Sequence, residues 1–158
     1  MLKISNKALL ATLGLLAVLL AGVVAEKLLP SGEQAVALTL PLDKSCDLQQ
    51  RDCSSSLPGG ARVTLSIAPR PIPVLRPLKL VVTVQGATAK KVEVDFAGVE
   101  MKMGYNRPLL QSDGNGRFVG ETTLPICSVS SMAWRATVLV EVDGKLVAAP
   151  FEFVTSRN

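Results

Sequence analysis

The side chains with the most chemical promise in this chain carry sulfur. Beyond the initiator there are three methionines, Met101, Met103 and Met132, and three cysteines, Cys46, Cys53 and Cys127. Met101 and Met103 are two positions apart, so in a strand both thioethers project from one face. Met132 stands two residues before Trp134, and Cys127 lies just upstream of it. Thioether and thiolate are soft donors that select Cu(I), and no histidine is present to offer imidazole to Zn(II) or Cu(II). Met101, Met103, Cys127 and Met132 are therefore the expected metal ligands, with copper as Cu(I) the expected ion. Against this stands the ordinary use of methionine as filler in strand cores.

Other chemistry is poorly served. Without histidine there is no Ser-His-Asp or Cys-His constellation and no imidazole proton shuttle. No Ser-Lys or paired-carboxylate motif, phosphate loop or cofactor fingerprint takes its place, so an enzyme is not expected. Glu93 and Asp95 alternate with valine and read as a solvent face. The formal charge is +4, from 17 basic and 13 acidic residues. Residues 1–29 hold three Lys and one Glu, leaving 14 basic and 12 acidic residues in the rest. No basic cluster with interleaved aromatics marks a nucleic-acid surface, and Lys90-Lys91 reads as a solvated strand edge.

The remaining cysteines bracket a polar loop. Six residues separate Cys46 from Cys53, a spacing too wide for the CxxC redox motif and suited to a small stapling disulfide. Cys127 is then a free thiol or a small buried apolar group. A bridge from Cys46 or Cys53 to Cys127 is an alternative that spacing alone leaves open.

Several elements must position these groups. Lys3 and Lys7 precede residues 8–25, a stretch of 18 positions without a charge. As a helix it spans about 27 Å, enough for the hydrocarbon layer. A secretory h-region is usually shorter, so a retained single-pass anchor is expected; a signal peptide cut after Val23 and Ala25 is the alternative. Either way the basic end stays in the cytoplasm and the remainder is exported, placing the protein at the inner membrane with its C-terminal domain in the periplasm. Pro30 and Gly32 end the helix.

Strand patterns dominate the rest. Residues 61–68, 78–85, 91–96, 99–103, 117–123, 134–142 and 146–154 read as strands, most by period-two alternation. Asp113-Gly114-Asn115-Gly116 and Asp143-Gly144 are turn signals, the second suited to a two-residue hairpin. About seven short strands without an amphipathic helix imply an all-β, immunoglobulin-like sandwich preceded by one transmembrane helix. The expected organisation is 1–29 anchor, 30–60 linker and cysteine loop, and 61–158 sandwich. Pro69, Pro71, Pro73 and Pro77 forbid a helix there and suggest a docking strip or a stiff, aggregation-resistant edge. Trp134 reads as a core plug. Tyr105, Asn106 and Arg107 form a rim for a partner or an ordinary loop.

The run Met101-Lys102-Met103-Gly104-Tyr105-Asn106-Arg107-Pro108, with Leu110, Gly116-Arg117-Phe118-Val119-Gly120, Leu124-Pro125-Ile126-Cys127 and Met132-Ala133-Trp134, resembles the YtkA-like and FixH-like extracytoplasmic domains. The resemblance covers residues 78–153. It implies a membrane-anchored immunoglobulin-like sandwich that handles copper and supports cytochrome oxidase assembly, with that membrane complex or its assembly factors as partner. Two departures shape the expected site. Tyr105 and Asn106 stand where the family often carries histidine, and Cys127 stands near where other members carry methionine. Both changes favour a sulfur site for Cu(I).

Overall fold

The computed structural model describes residues 6–28, 34–101, 104–126 and 130–156. The chain divides into two units, Met1–Gln34 and Ala35–Asn158.

The first unit contains helix α1, Asn6–Leu28. Its side chains are described at Leu10 and at residues 12–22, and all of these are exposed, the leucines and valines by well over half. Among the described residues, no helix is long and apolar enough to cross a membrane. The uncharged stretch in the sequence, residues 8–25, is longer than the run described with side chains.

The second unit is all β, with nine strands among the described residues: β1 (Val36–Thr39), β2 (Cys53–Ser56), β3 (Arg62–Ala68), β4 (Pro77–Gln85), β5 (Ala89–Gly98), β6 (Gln111–Ser112), β7 (Arg117–Thr123), β8 (Ser131–Val142) and β9 (Lys145–Ser156). They form a four-stranded sheet in the order β1-β9-β8-β5 and a five-stranded sheet in the order β2-β3-β4-β7-β6. Alternation in the sequence becomes alternation of burial. Val63, Leu65 and Ile67 of β3 face Val92, Val94 and Phe96 of β5 and the inward residues of β8 and β9 in one core cluster. Trp134 is 1 % exposed and its indole N–H donates to the Thr155 hydroxyl at 3.0 Å, which satisfies both buried polar groups.

The turns follow their residues. Asp143 and Gly144 both take positive φ, 51° and 70°, as a two-residue hairpin between right-twisted strands requires. Gly116 has φ +72°, and a Cβ there would lie 2.3 Å from the Val84 carbonyl oxygen, so no other residue fits this approach of β7 to β4.

Residues 30–60 are more than a linker and loop: β1 and β2 lie within them and belong to the sheets. β1 pairs parallel with β9, and Ser54 and Ser55 of β2 pair with β3. Neither strand shows long apolar alternation, because β1 has four exposed residues and β2 is largely serine. Pairing on the β1 edge stops where Leu40 N–H donates to the Ala148 carbonyl. Two residues on, Pro150 has no N–H to offer such a partner.

Candidate functional site

The β5–β8 register determines where the expected ligands fall. Gly98, the last residue of β5, lies opposite Trp134, and Val99 N–H donates to the Ala133 carbonyl at 3.0 Å. Val99 thus lies beside Ala133 near the start of β8, whose first residue, Ser131, opposes Ser156, the last residue of β9. Met101 and Met132 therefore belong to the same end of the sandwich. The expected strand over 99–103 does not form in its described part, because β5 ends at Gly98 and the chain bends.

Two of the four expected ligands, Met103 and Cys127, lie outside the described residues. Met101 and Ile126, close to them in sequence, are described. Met101 is 40 % exposed. Ile126 lines a groove of about 710 Å³ together with Val154 and Ser156 of β9 and the proline segment 71–76. Met132 is 7 % exposed and part of the core cluster, so its thioether sits on the inner face, one residue from the end of β8. As a donor set, the soft sulfurs fit Cu(I). Among the described residues no group of three or more His, Cys, Asp or Glu could hold a metal ion.

Residues 104–110 carry structure that the sequence did not announce. Residues 106–110 run antiparallel along the outer edge of β5. Phe96 N–H donates to Asn106 C=O at 2.9 Å, Val94 N–H to Pro108 C=O at 3.2 Å, and Leu110 N–H to Val92 C=O at 2.9 Å. A single bridge pairs Glu93 with Leu109. Tyr105 is 84 % exposed, as a rim residue would be. Asn106 and Arg107 instead turn onto the fold. Asn106 Nδ2 donates to Thr123 C=O at 3.2 Å, and its Oδ1 accepts from the Thr122 hydroxyl at 2.7 Å. Arg107 Nη2 donates to Glu93 Oε2 at 2.9 Å, with Lys91 Nζ at 3.2 Å from the same oxygen. Glu93 is therefore not a solvent-face carboxylate: it is 8 % exposed, covered by the flanking segment and neutralised by two cations. The only forewarning in the sequence was a polar Asn-Arg pair followed by Pro108 and two leucines.

The cysteine loop behaves as the spacing suggested. Cys46 and Cys53 form a disulfide, and Cys53 is fully buried. Gln49 ties this loop to the groove. Its Oε1 accepts from Ile72 N–H and its Nε2 donates to Val154 C=O, both at 2.6 Å. Arg70 donates to Leu48 C=O at 2.9 Å and to Asp52 Oδ1 at 2.5 Å. The hydrogen bond from Arg70, with another from Ser66 and the guanidinium charge, holds the Asp52 carboxyl below the usual carboxylate value. The proline segment is thus built into the wall of the groove, with Ile72 3 % exposed and Leu75 59 % exposed.

No family model, curated protein or solved structure matches the chain.

Proposed function

We propose that the chain is a membrane-anchored, extracytoplasmic, immunoglobulin-like accessory domain that handles Cu(I) and supports assembly of a copper enzyme of the haem–copper oxidase type. Residues 8–25 serve as the single inner-membrane span, and the β unit lies in the periplasm. Met101, Met103, Cys127 and Met132 hold the ion, and no catalysis is assigned to them. The observation that carries this reading is the Val99–Ala133 hydrogen bond. In it Val99, two residues before Met101, is bonded to Ala133, the residue after Met132. An all-sulfur set stabilises the monovalent ion, and weak thioether ligation at an exposed edge suits transfer to an acceptor site. The motif likeness to the YtkA-like and FixH-like domains supports the same reading.

The test is a Cu(I) titration of the full chain in detergent against a chromogenic chelator. Replacing Met101 and Met103 together with leucine is expected to weaken binding by at least tenfold. Unchanged affinity in that variant refutes the reading.

A second reading is favoured by one observation, the burial of Met132 in the core cluster. On this reading the methionines are packing residues, and the sandwich is a docking module for a membrane complex, presenting Tyr105 and the proline-walled groove. Co-purification of a membrane complex that persists unchanged in the presence of a Cu(I) chelator distinguishes it from copper handling.

A further inference from the structure

We infer that the outer edge of β9 beyond Pro150 is a docking site for an extended peptide of a partner protein, one carrying a basic side chain and, a few residues along, a branched apolar one. The inference gives the proline-walled groove of the second reading an occupant and does not depend on Cu(I) binding. β1 covers this edge only as far as Ala148, whose carbonyl accepts from Leu40 N–H. The β8–β9 register runs without a shift, so every second residue of β9 turns both backbone groups away from β8. Ala148 is one of these. Val154 is another, since its carbonyl accepts from Gln49 Nε2. Glu152 lies between them in the same alternation. Among the described residues, the N–H groups of Glu152 and Val154 and the Glu152 carbonyl have no hydrogen-bond partner.

Open space flanks this row. Toward Glu152 it is a cleft of about 480 Å³, lined also by Asp43, Lys44 and Asp47 of the cysteine loop. Toward Ser156 it is the groove of about 710 Å³, where Pro73, Val74 and Leu75 form an apolar wall and Arg76 is the one cation of the lining. Gln49 lines both, and its bond to Val154 C=O supplies a single rung of the kind a neighbouring strand would make. A row of strand donors and acceptors without a ladder is complementary to extended backbone. The corresponding edge of β5 is already taken by residues 106–110, so within the same sheet β9 is the edge with room. The charges define the peptide further. Glu152 is paired with Arg135, while Asp43 and Asp47 enter no ion pair among the described residues. Two unpaired carboxylates against Lys44 favour a basic side chain in the cleft.

The experiment screens a displayed library of random linear peptides against the full chain in detergent. The most enriched peptide, made synthetically with a fluorescent label, is then the probe for affinity. Enriched sequences are expected to place Lys or Arg within a few positions of Val, Leu or Ile. Methylating the probe at one backbone amide at a time is expected to weaken binding at alternate residues, as an added strand requires. Val154→Pro removes the outward N–H and spares the β8 ladder, as Pro150 already does in the same alternation. It is expected to bind the probe about tenfold more weakly, and Val154→Ile, which keeps the N–H, to bind as the wild type. Asp43→Lys is expected to weaken binding about threefold and to favour the probe with Glu in place of its basic residue. If Val154→Pro does not fold, the methylated series carries the test. Absence of enrichment overturns the inference, and so does equal binding by Val154→Pro, an amide series without alternation, or indifference to Asp43→Lys. Self-association of the wild type that Val154→Pro abolishes makes a second copy the occupant and overturns it as well. Cu(I) affinity is measured on the same wild-type preparation, so failure of the copper reading and failure of the docking site are told apart.

Discussion

Replacing Arg107 with methionine keeps most of the side-chain stem and removes the cation from a carboxylate that is 8 % exposed. Breaking a fully buried ion pair from one side costs about 3–5 kcal/mol, because the remaining charge is left without compensation. Here two features reduce the cost. Lys91 Nζ stays 3.2 Å from the same Glu93 oxygen, although its own side chain is 49 % exposed, and the Glu93 side chain keeps 11 % exposure. The expected loss is about 2 kcal/mol, or roughly a 6–10 °C fall in melting temperature for a domain of this size. Urea titration followed by the fluorescence of Trp134, the single tryptophan, measures it. The double variant Glu93→Gln with Arg107→Met removes both charges and is expected to recover to within about 1 kcal/mol of the wild type. A loss below about 0.5 kcal/mol in Arg107→Met, with no coupling in the double variant, would show that Glu93 is solvated. The flanking segment would then not be pinned to β5 by this pair.

Three further outcomes follow from the same structure. Reducing the Cys46–Cys53 bridge, whose cysteines are 7 apart in sequence, should lower unfolding free energy by about 2.5 kcal/mol on the chain-entropy model, read as a shift of the urea midpoint with and without dithiothreitol. Asp52, held low by Arg70, contributes stability that is fully present above its ordinary value of 3.8 and is lost as pH falls through its lower folded value. Asp52→Asn should therefore flatten the acid limb of the stability profile, modestly because the side chain is 50 % exposed; an unchanged limb refutes the assignment. Gly116→Ala places a methyl 2.3 Å from the Val84 oxygen at positive φ and is expected to cost on the order of 3 kcal/mol, with a near-neutral result excluding this β4–β7 approach.

Much of the sheet pattern was legible because alternation and burial express one periodicity. Residues 62–68, 78–85 and 134–138 alternate in sequence and are buried alternately in the fold. Asp143-Gly144 announced its hairpin through the positive φ that only a few residue types accept readily. β1 and β2 were not legible, since β1 is an exposed four-residue edge strand whose partner β9 is distant in the chain, and β2 is a serine run without apolar alternation. The strand expected beyond Gly98 stops there, because the outer edge of β5 is already taken by residues 106–110 up to Phe96. Met132 shows the limit of reading chemistry from residue type. Its position two before Trp134 in a strand puts it on the same inward face as the tryptophan, so the period that brought it to the site also buried it. The inward pairing of Asn106 and Arg107 was not legible because their partners, Thr122, Thr123 and Glu93, are more than a dozen positions away.

The parallel pairing of β1 with β9 has a consequence for biogenesis. The first strand of the domain cannot find its neighbour until the last strand has been made, since β9 lies between β1 and β8. A growing chain that stops before Lys145 exposes the inner edge of β8 and leaves β1 without a ladder. Closure of this sheet therefore waits for β9, the last strand among the described residues.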